Sequence, residues 1–230
     1  MMGLMEEVAG LGDPVKAKAL MRFFRTGKGE YGEGDVFLGV TVPKARKLAR
    51  KHRDMPLREV GALLRSRFHE HRLAGLLVLV EKFGGAGPDG KMEIFDFYMR
   101  NIKAVNNWDL VDLSADKIAG AYLQDKDKTA LYRLARSDSV WERRIAIIAT
   151  FNFIKRGEFS HTLKIAGMLL KDRHDLIHKA VGWMLREVGK RGGLAQEEAF
   201  LKRHKEEMPR TMLRYAIERF DERKRKEYMA

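Results

Sequence analysis

Apolar residues recur along the chain at steps of three and four, as in Leu73, Leu76, Leu77, Val80 and Phe83, which places them on one face of an α-helix. No series of alternating apolar stretches is joined by Asn-Gly or Asp-Gly turns, so a β-sheet is not expected. The pattern predicts helices over about 15–26, 43–53, 57–67, 70–83, 91–103, 107–123, 127–136, 140–155, 161–171, 175–190, 195–204 and 209–226. The five prolines, at 14, 43, 56, 88 and 209, stand beside predicted helix starts or in connectors, where a fixed φ and a missing N–H do no harm. Thr26–Thr41 (TGKGEYGEGDVFLGVT) is the one long connector, and Gly84–Gly90 is a shorter turn cluster.

A repeat organises these helices. Arg72, Trp108, Arg144, Lys179 and Arg214 follow one another at steps of 36, 36, 35 and 35 residues. Each opens a segment with an apolar stripe, such as RLAGLLVLVEKF, RIAIIATFNFIK and KAVGWMLREVGK. A period of this size, with a second helix between copies, predicts an all-α, HEAT-like solenoid in which neighbouring helix pairs bury each other's apolar faces. No linker interrupts it, so residues 1–230 are expected to form a single repeat domain. Its concave side is the default binding surface.

Charge narrows the choice of partner. The 230 residues carry 45 Lys+Arg against 32 Asp+Glu, a net +13, with a pI near 9.9. Such an excess favours an anionic polymer, nucleic acid first. The absence of cysteine excludes disulfides and thiolate chemistry. The opening MMGLMEEVAGLGDP shows no basic segment followed by an unbroken apolar one, and no apolar run is long enough for a membrane span. A cytoplasmic protein that uses no membrane is expected.

The repeat slots carry the candidate chemistry. Four of the five hold a cation: Arg72, Arg144, Lys179 and Arg214. A row of this kind suits phosphates, although the same cations could instead pair with nearby acids. Residues one helical turn on share a face with the first. There stand Leu76, Asp112, Ile148, Trp183 and Glu218. Trp108, Asp112 and Trp183 break the pattern with two indoles and a carboxylate. Together with Arg144 they could line a cleft suited to a cationic planar ligand. The alternative is an Asp112–Arg144 ion pair among tryptophans that belong to the core.

In the stretches Asn107-Trp108-Asp109-Leu110-Val111-Asp112, Trp141-Glu142-Arg143-Arg144 and Ala180-Val181-Gly182-Trp183-Met184-Leu185-Arg186-Glu187, the sequence resembles the AlkD-like DNA alkylation-repair glycosylases. Phe37–Pro43 and Phe68-His69-Glu70-His71-Arg72 also look like that family, and the likeness spans roughly 15–220. The resemblance implies a right-handed α-solenoid with a concave, basic DNA-binding face. It implies double-stranded DNA with N3- or N7-alkylated purines as substrate and monofunctional hydrolysis of the glycosidic bond during base excision repair. It maps the catalytic positions onto Trp108, Asp112, Arg144 and Trp183. Asp112 would steady the sugar cation and guide water, the indoles would pack on the sugar, and Arg144 would hold a phosphate. Enzymes of this type are understood to work without drawing the base into a tight pocket. The chain is expected to act as a monomer without cofactor or metal. Phe23 stands where a first-helix tyrosine is expected, and Asn107 where some members carry a second aromatic; both bear on lesion range.

His174 and His178 share metal-ligand spacing but lack an HExxH pattern. His69-Glu70-His71 reads as a helix start. The glycine-rich connector is no phosphate loop, since GxxxxGK[ST] is missing; Lys28 or Tyr31 within it could touch DNA. From Lys16 to Arg53 there are 11 Lys/Arg against three acids, a net +8, so Lys28, Lys44, Arg46 and Lys47 join Arg72, Arg143, Lys179 and Arg214 as candidate DNA contacts. Two rival readings are a non-catalytic protein that binds branched or damaged DNA, and a protein-interaction scaffold.

Overall fold

The computed structural model describes residues 3–230, and these are all-helical apart from one parallel bridge between Val36 and Phe68. They divide into two compact units, Met1–Ser114 and Ala115–Ala230.

The first unit contains α1 (Leu4–Ala9), α2 (Pro14–Phe23), α3 (Val42–Lys51), α4 (Leu57–Leu64), α5 (His69–Gly85), α6 (Pro88–Arg100) and α7 (Trp108–Ser114). Its centre is α5, in which every residue from 69 to 79 is buried. A helix enclosed on all sides must satisfy its polar groups inside the protein. The opening His-Glu-His-Arg of α5 therefore has to find partners there. Helices α3, α4 and α7 pack around it, and the 24–41 connector crosses its N-terminus, where the His69 N–H donates to the Val36 carbonyl (2.8 Å).

The second unit runs through α8 (Ala121–Leu123), α9 (Thr129–Leu134), α10 (Val140–Ala149), α11 (Phe151–Ile154), α12 (Ser160–Met168), α13 (Asp175–Val188), α14 (Leu194–His204), α15 (Arg210–Ala216) and α16 (Glu222–Met229). Here α13 is the pivot. Ile177, Ala180, Val181, Met184, Leu185 and Val188 form its buried stripe, and burial is worth roughly 1.5–3 kcal/mol for each large side chain. It packs on α10 and α15. Gly182 makes the second contact possible, because a Cβ there would lie 2.4 Å from the Met212 carbonyl oxygen.

The predicted helices appear in order, with four differences, of which the first is that the predicted 140–155 helix is interrupted at Thr150 between α10 and α11. The short α1 is too brief for a period to show. The predicted 107–123 helix breaks after α7 into a π-turn, Asp116–Gly120. The turn brings Gly120 so close to Ala149 that a Cβ would stand 2.1 Å from its carbonyl oxygen. The predicted 209–226 helix breaks at Phe220. There Asp221 caps α16 by accepting the Lys224 N–H (2.9 Å).

Candidate functional site

In the first unit the site is built on the start of α7. The Asn107 side-chain oxygen accepts the Trp108 N–H (2.8 Å), and Asp109 accepts the N–H of Leu110 (2.8 Å). These carboxamide and carboxylate groups belong to a buried network. Asp35 accepts from Arg72 (2.5 Å), Asn106 (3.1 Å), Asn107 (3.3 Å) and His69 Nδ1 (3.2 Å). The other ring nitrogen of His69, Nε2, faces Asp109 at 2.8 Å. A neutral imidazole has a single donor, so two carboxylates at its two nitrogens call for the imidazolium. Burial opposes that charge, yet the hydrogen bonds to Asp109 and Asp35 outweigh burial and raise the His69 pKa to about 9. Burial likewise opposes the Asp35 charge. The hydrogen bond from His69 and the nearby Arg72 guanidinium prevail and hold its pKa below the usual value.

Aromatic rings cover this network. Trp108 stacks on Phe24 (5.0 Å), Phe24 on Phe37 (5.0 Å) and Phe37 on His69 (4.4 Å), each pair within about 21° of parallel. Phe23 meets the Trp108 ring edge-on at 5.9 Å. Trp108 is thus held against the core and remains half-exposed, and Asp112, one turn on along α7, is also half-exposed. Beside the stack lies a cavity of about 470 Å³. Its walls come from α2, the 37–43 segment, α5 and α7, so no single stretch of sequence announces it.

In the second unit Arg144 is buried and its Nη1 donates to the Leu176 carbonyl (2.5 Å), in the first turn of α13. Trp183, half-exposed on α13, lies 6.0 Å from Phe151. Lys155 and Arg191 sit over the Phe151 ring at 4.3 and 5.2 Å. These three residues carry no repeat signal, and sequence reasoning missed them.

The candidate DNA contacts separate sharply. Arg72 is buried and ion-paired with Asp35, so its slot in the repeat serves the fold of its unit and not a phosphate. Arg143 is likewise committed, to Asp172 (2.6 Å) and to the carbonyls of Ser137 (2.8 Å) and Asp138 (2.9 Å). In both cases pairing with a nearby acid prevails because the guanidinium is taken out of water. Lys179 pairs with Asp175 (2.7 Å) but keeps its side chain partly in solvent. Arg214, Lys28, Lys44 and Lys47 are exposed, and Arg46 is half-buried. His174 and His178 have structural work to do. His174 Nδ1 accepts the Leu176 N–H (3.2 Å) as the cap of α13, and His178 Nε2 donates to the Asp172 carbonyl (2.6 Å). His69-Glu70-His71 does start a helix, but it does more than that. Glu70 accepts the N–H groups of Leu38 (2.8 Å), Gly39 (2.8 Å) and Val40 (3.1 Å) and so anchors the connector. Gly39 takes a φ of +86° there, a conformation natural to glycine.

The sequence profile of the family described as DNA alkylation repair enzyme matches residues 4–220. The chain belongs to this family. Repair of alkylated DNA is therefore its field of action. A solved structure described as a predicted DNA alkylation repair enzyme from Enterococcus faecalis shares the fold. Its TM-score is 0.70 at 16% identity, and the match covers 92% of this chain and 97% of that one. Comparison with curated proteins finds no match. No helix among the described residues is long and apolar enough to cross a membrane.

Proposed function

We propose that this repair enzyme is a monofunctional DNA glycosylase that hydrolyses the N-glycosidic bond of N3- or N7-alkylated purines in duplex DNA. The observation that carries the reading is the pairing on α7 of a half-exposed indole with a half-exposed carboxylate one turn away, on a helix start fixed by a buried ionic network. An alkylated purine is cationic and leaves as a neutral base. The enzyme's task is then to stabilise the positive charge that grows on the sugar as the C1′–N bond breaks. Asp112 supplies the opposing charge and takes the proton of the water that attacks C1′. The products are a free base and an abasic site. Trp108 places its ring face against the cationic sugar, and Trp183 is assigned sugar packing; Arg144, buried like Arg72 and donating to the Leu176 carbonyl, holds the start of α13 instead of a phosphate. Lys28, Lys44, Arg46, Lys47, Lys179 and Arg214 provide the electrostatic footprint; Arg72 and Arg143 are no longer part of it. The protein acts as a cytoplasmic monomer in this reading.

The test is a duplex containing N7-methylguanine, assayed for free base and abasic sites. Asp112→Asn should bind the duplex with unchanged affinity and lose base release by roughly 100-fold or more. Full activity in that variant overturns the mechanism. Wild-type protein that grips branched DNA and releases no base would instead be a non-catalytic binder.

A further inference from the structure

Within the second unit, charge and aromatic surface meet around Phe151. Trp183 lies 6.0 Å from this half-exposed ring, and Lys155 and Arg191 stand over it at 4.3 and 5.2 Å. One ring thus carries two cations, and their attraction to its π-system offsets part of their mutual repulsion. Acids fix both cations further. Lys155 donates one of its three N–H groups to Asp116 Oδ2 (2.6 Å), while Lys117 donates to Oδ1 (3.0 Å). Arg191 donates to Glu187 through Nε (3.4 Å), which leaves its two Nη groups outside that contact.

The acids do not cancel this charge. Asp116 is shared by two ammoniums, and Glu187 also faces Arg186 at 3.9 Å. One ammonium is enough to balance the buried Asp116 carboxylate, so the fold has no need of the second. Lys155 and Arg191 each keep 38% of the side chain in water, whereas Arg72 and Arg144 are buried. Arg156 and Lys190, their neighbours in the chain, are exposed as well. Because ring and carboxylates already hold the two cations in place, little side-chain freedom remains to be lost when an anion binds.

An indole beside two positioned, partly hydrated cations matches the two halves of a nucleotide, its sugar and its phosphate. Arg144 does not supply the second contact, since its guanidinium is buried against the Leu176 carbonyl. We propose that Lys155 and Arg191 grip the DNA phosphate adjoining the sugar that packs on Trp183, and so fix where that nucleotide rests. They are positioning residues and take no part in bond cleavage. The proposal rests on the reading of DNA as partner and of Trp183 as a sugar contact.

The experiment uses duplexes with one N7-methylguanine in which a single phosphate is replaced by an uncharged methylphosphonate. The replacement stands on either side of the lesion in turn, or far from it, and binding is measured by anisotropy. Wild-type protein should lose affinity by about fivefold or more at one of the two adjoining positions and not at the distant one. In the Lys155→Gln, Arg191→Gln double variant that penalty should fall to about none, and each single variant should lower the slope of log K against log salt by about one. Lys155→Arg keeps the charge and should restore the penalty. Thermal melts establish that each variant is folded. Arg191→Gln, in which Glu187 retains Arg186, carries the test if Lys155→Gln fails to fold. No penalty at either adjoining phosphate, a penalty undiminished in the variants, or variants that lose thermal stability with an unchanged salt slope overturns the proposal. Base release from the same duplexes separates the two claims. Release with a penalty that the variants keep defeats only the phosphate grip, and a penalty that vanishes in the variants without any release defeats only the glycosylase.

Discussion

His69 in the first unit and Glu197 in the second are both buried titratable side chains, and they affect their units in opposite ways. His69 has a carboxylate at each ring nitrogen. Glu197 is 2% exposed, and its Oε1 has no hydrogen-bond partner. The cations near Glu197 are already engaged, Lys224 with Glu198 and Arg186 with Glu218. Burial, reinforced by the charge of Glu198, raises the Glu197 pKa to about 8. The contrast teaches that burial alone says little about an ionisable group; what matters is whether its partners are in place.

The largest effect should come from His69→Ala, which leaves Asp35 and Asp109 buried without the cation between them. A loss of about 3–5 kcal/mol is expected by urea unfolding at pH 6. An unfolded histidine titrates near 6.5 and His69 near 9, so the folded state holds the proton more tightly. The stabilisation is complete below about pH 6.5 and is lost as pH rises through about 9. The cost of the substitution should shrink across that window. A penalty that grows with pH would overturn the imidazolium assignment.

Glu197→Gln should act in the other direction. The unfolded carboxyl titrates near 4.5 and the folded one near 8, so the charge costs nothing below pH 4.5 and its full penalty above pH 8. The variant should be about 2 kcal/mol more stable than wild type at pH 9 and nearly equal to it at pH 4. Thermal melts at the two pH values check this, and equal stability at pH 9 would contradict it.

The smallest change belongs to Lys179→Ala, whose partly exposed pair with Asp175 should contribute under about 0.5 kcal/mol to stability. If Lys179 meets a phosphate, the slope of log K against log salt should fall by about one in magnitude. Arg72→Ala offers the contrast from the same repeat slot, with a substantial loss of stability and no change in slope per bound phosphate. Salt titrations of both proteins would show whether the slot serves the fold in one unit and DNA in the other.

Much of the architecture could be read from the chain because it depends on local periodicity. The three- and four-residue spacing in α5 and α13 marked helices. The pair Trp108 and Asp112 was equally legible, since one helical turn joins them whatever surrounds the helix. The network beneath them was not. Asp35 lies 34 residues from His69, and His69 lies 40 from Asp109, with no repeat relation between them. Arg72 looked like a phosphate contact because equivalence along a sequence carries no record of which acid will face the side chain.

The amino-acid order by itself determined helix content, overall charge and the residue types offered to the DNA, because each follows from neighbours along the chain or from composition. Only the tertiary structure decided which charges are removed from water and which remain in it. That choice depends on groups brought together from distant segments, where desolvation and pairing are settled jointly.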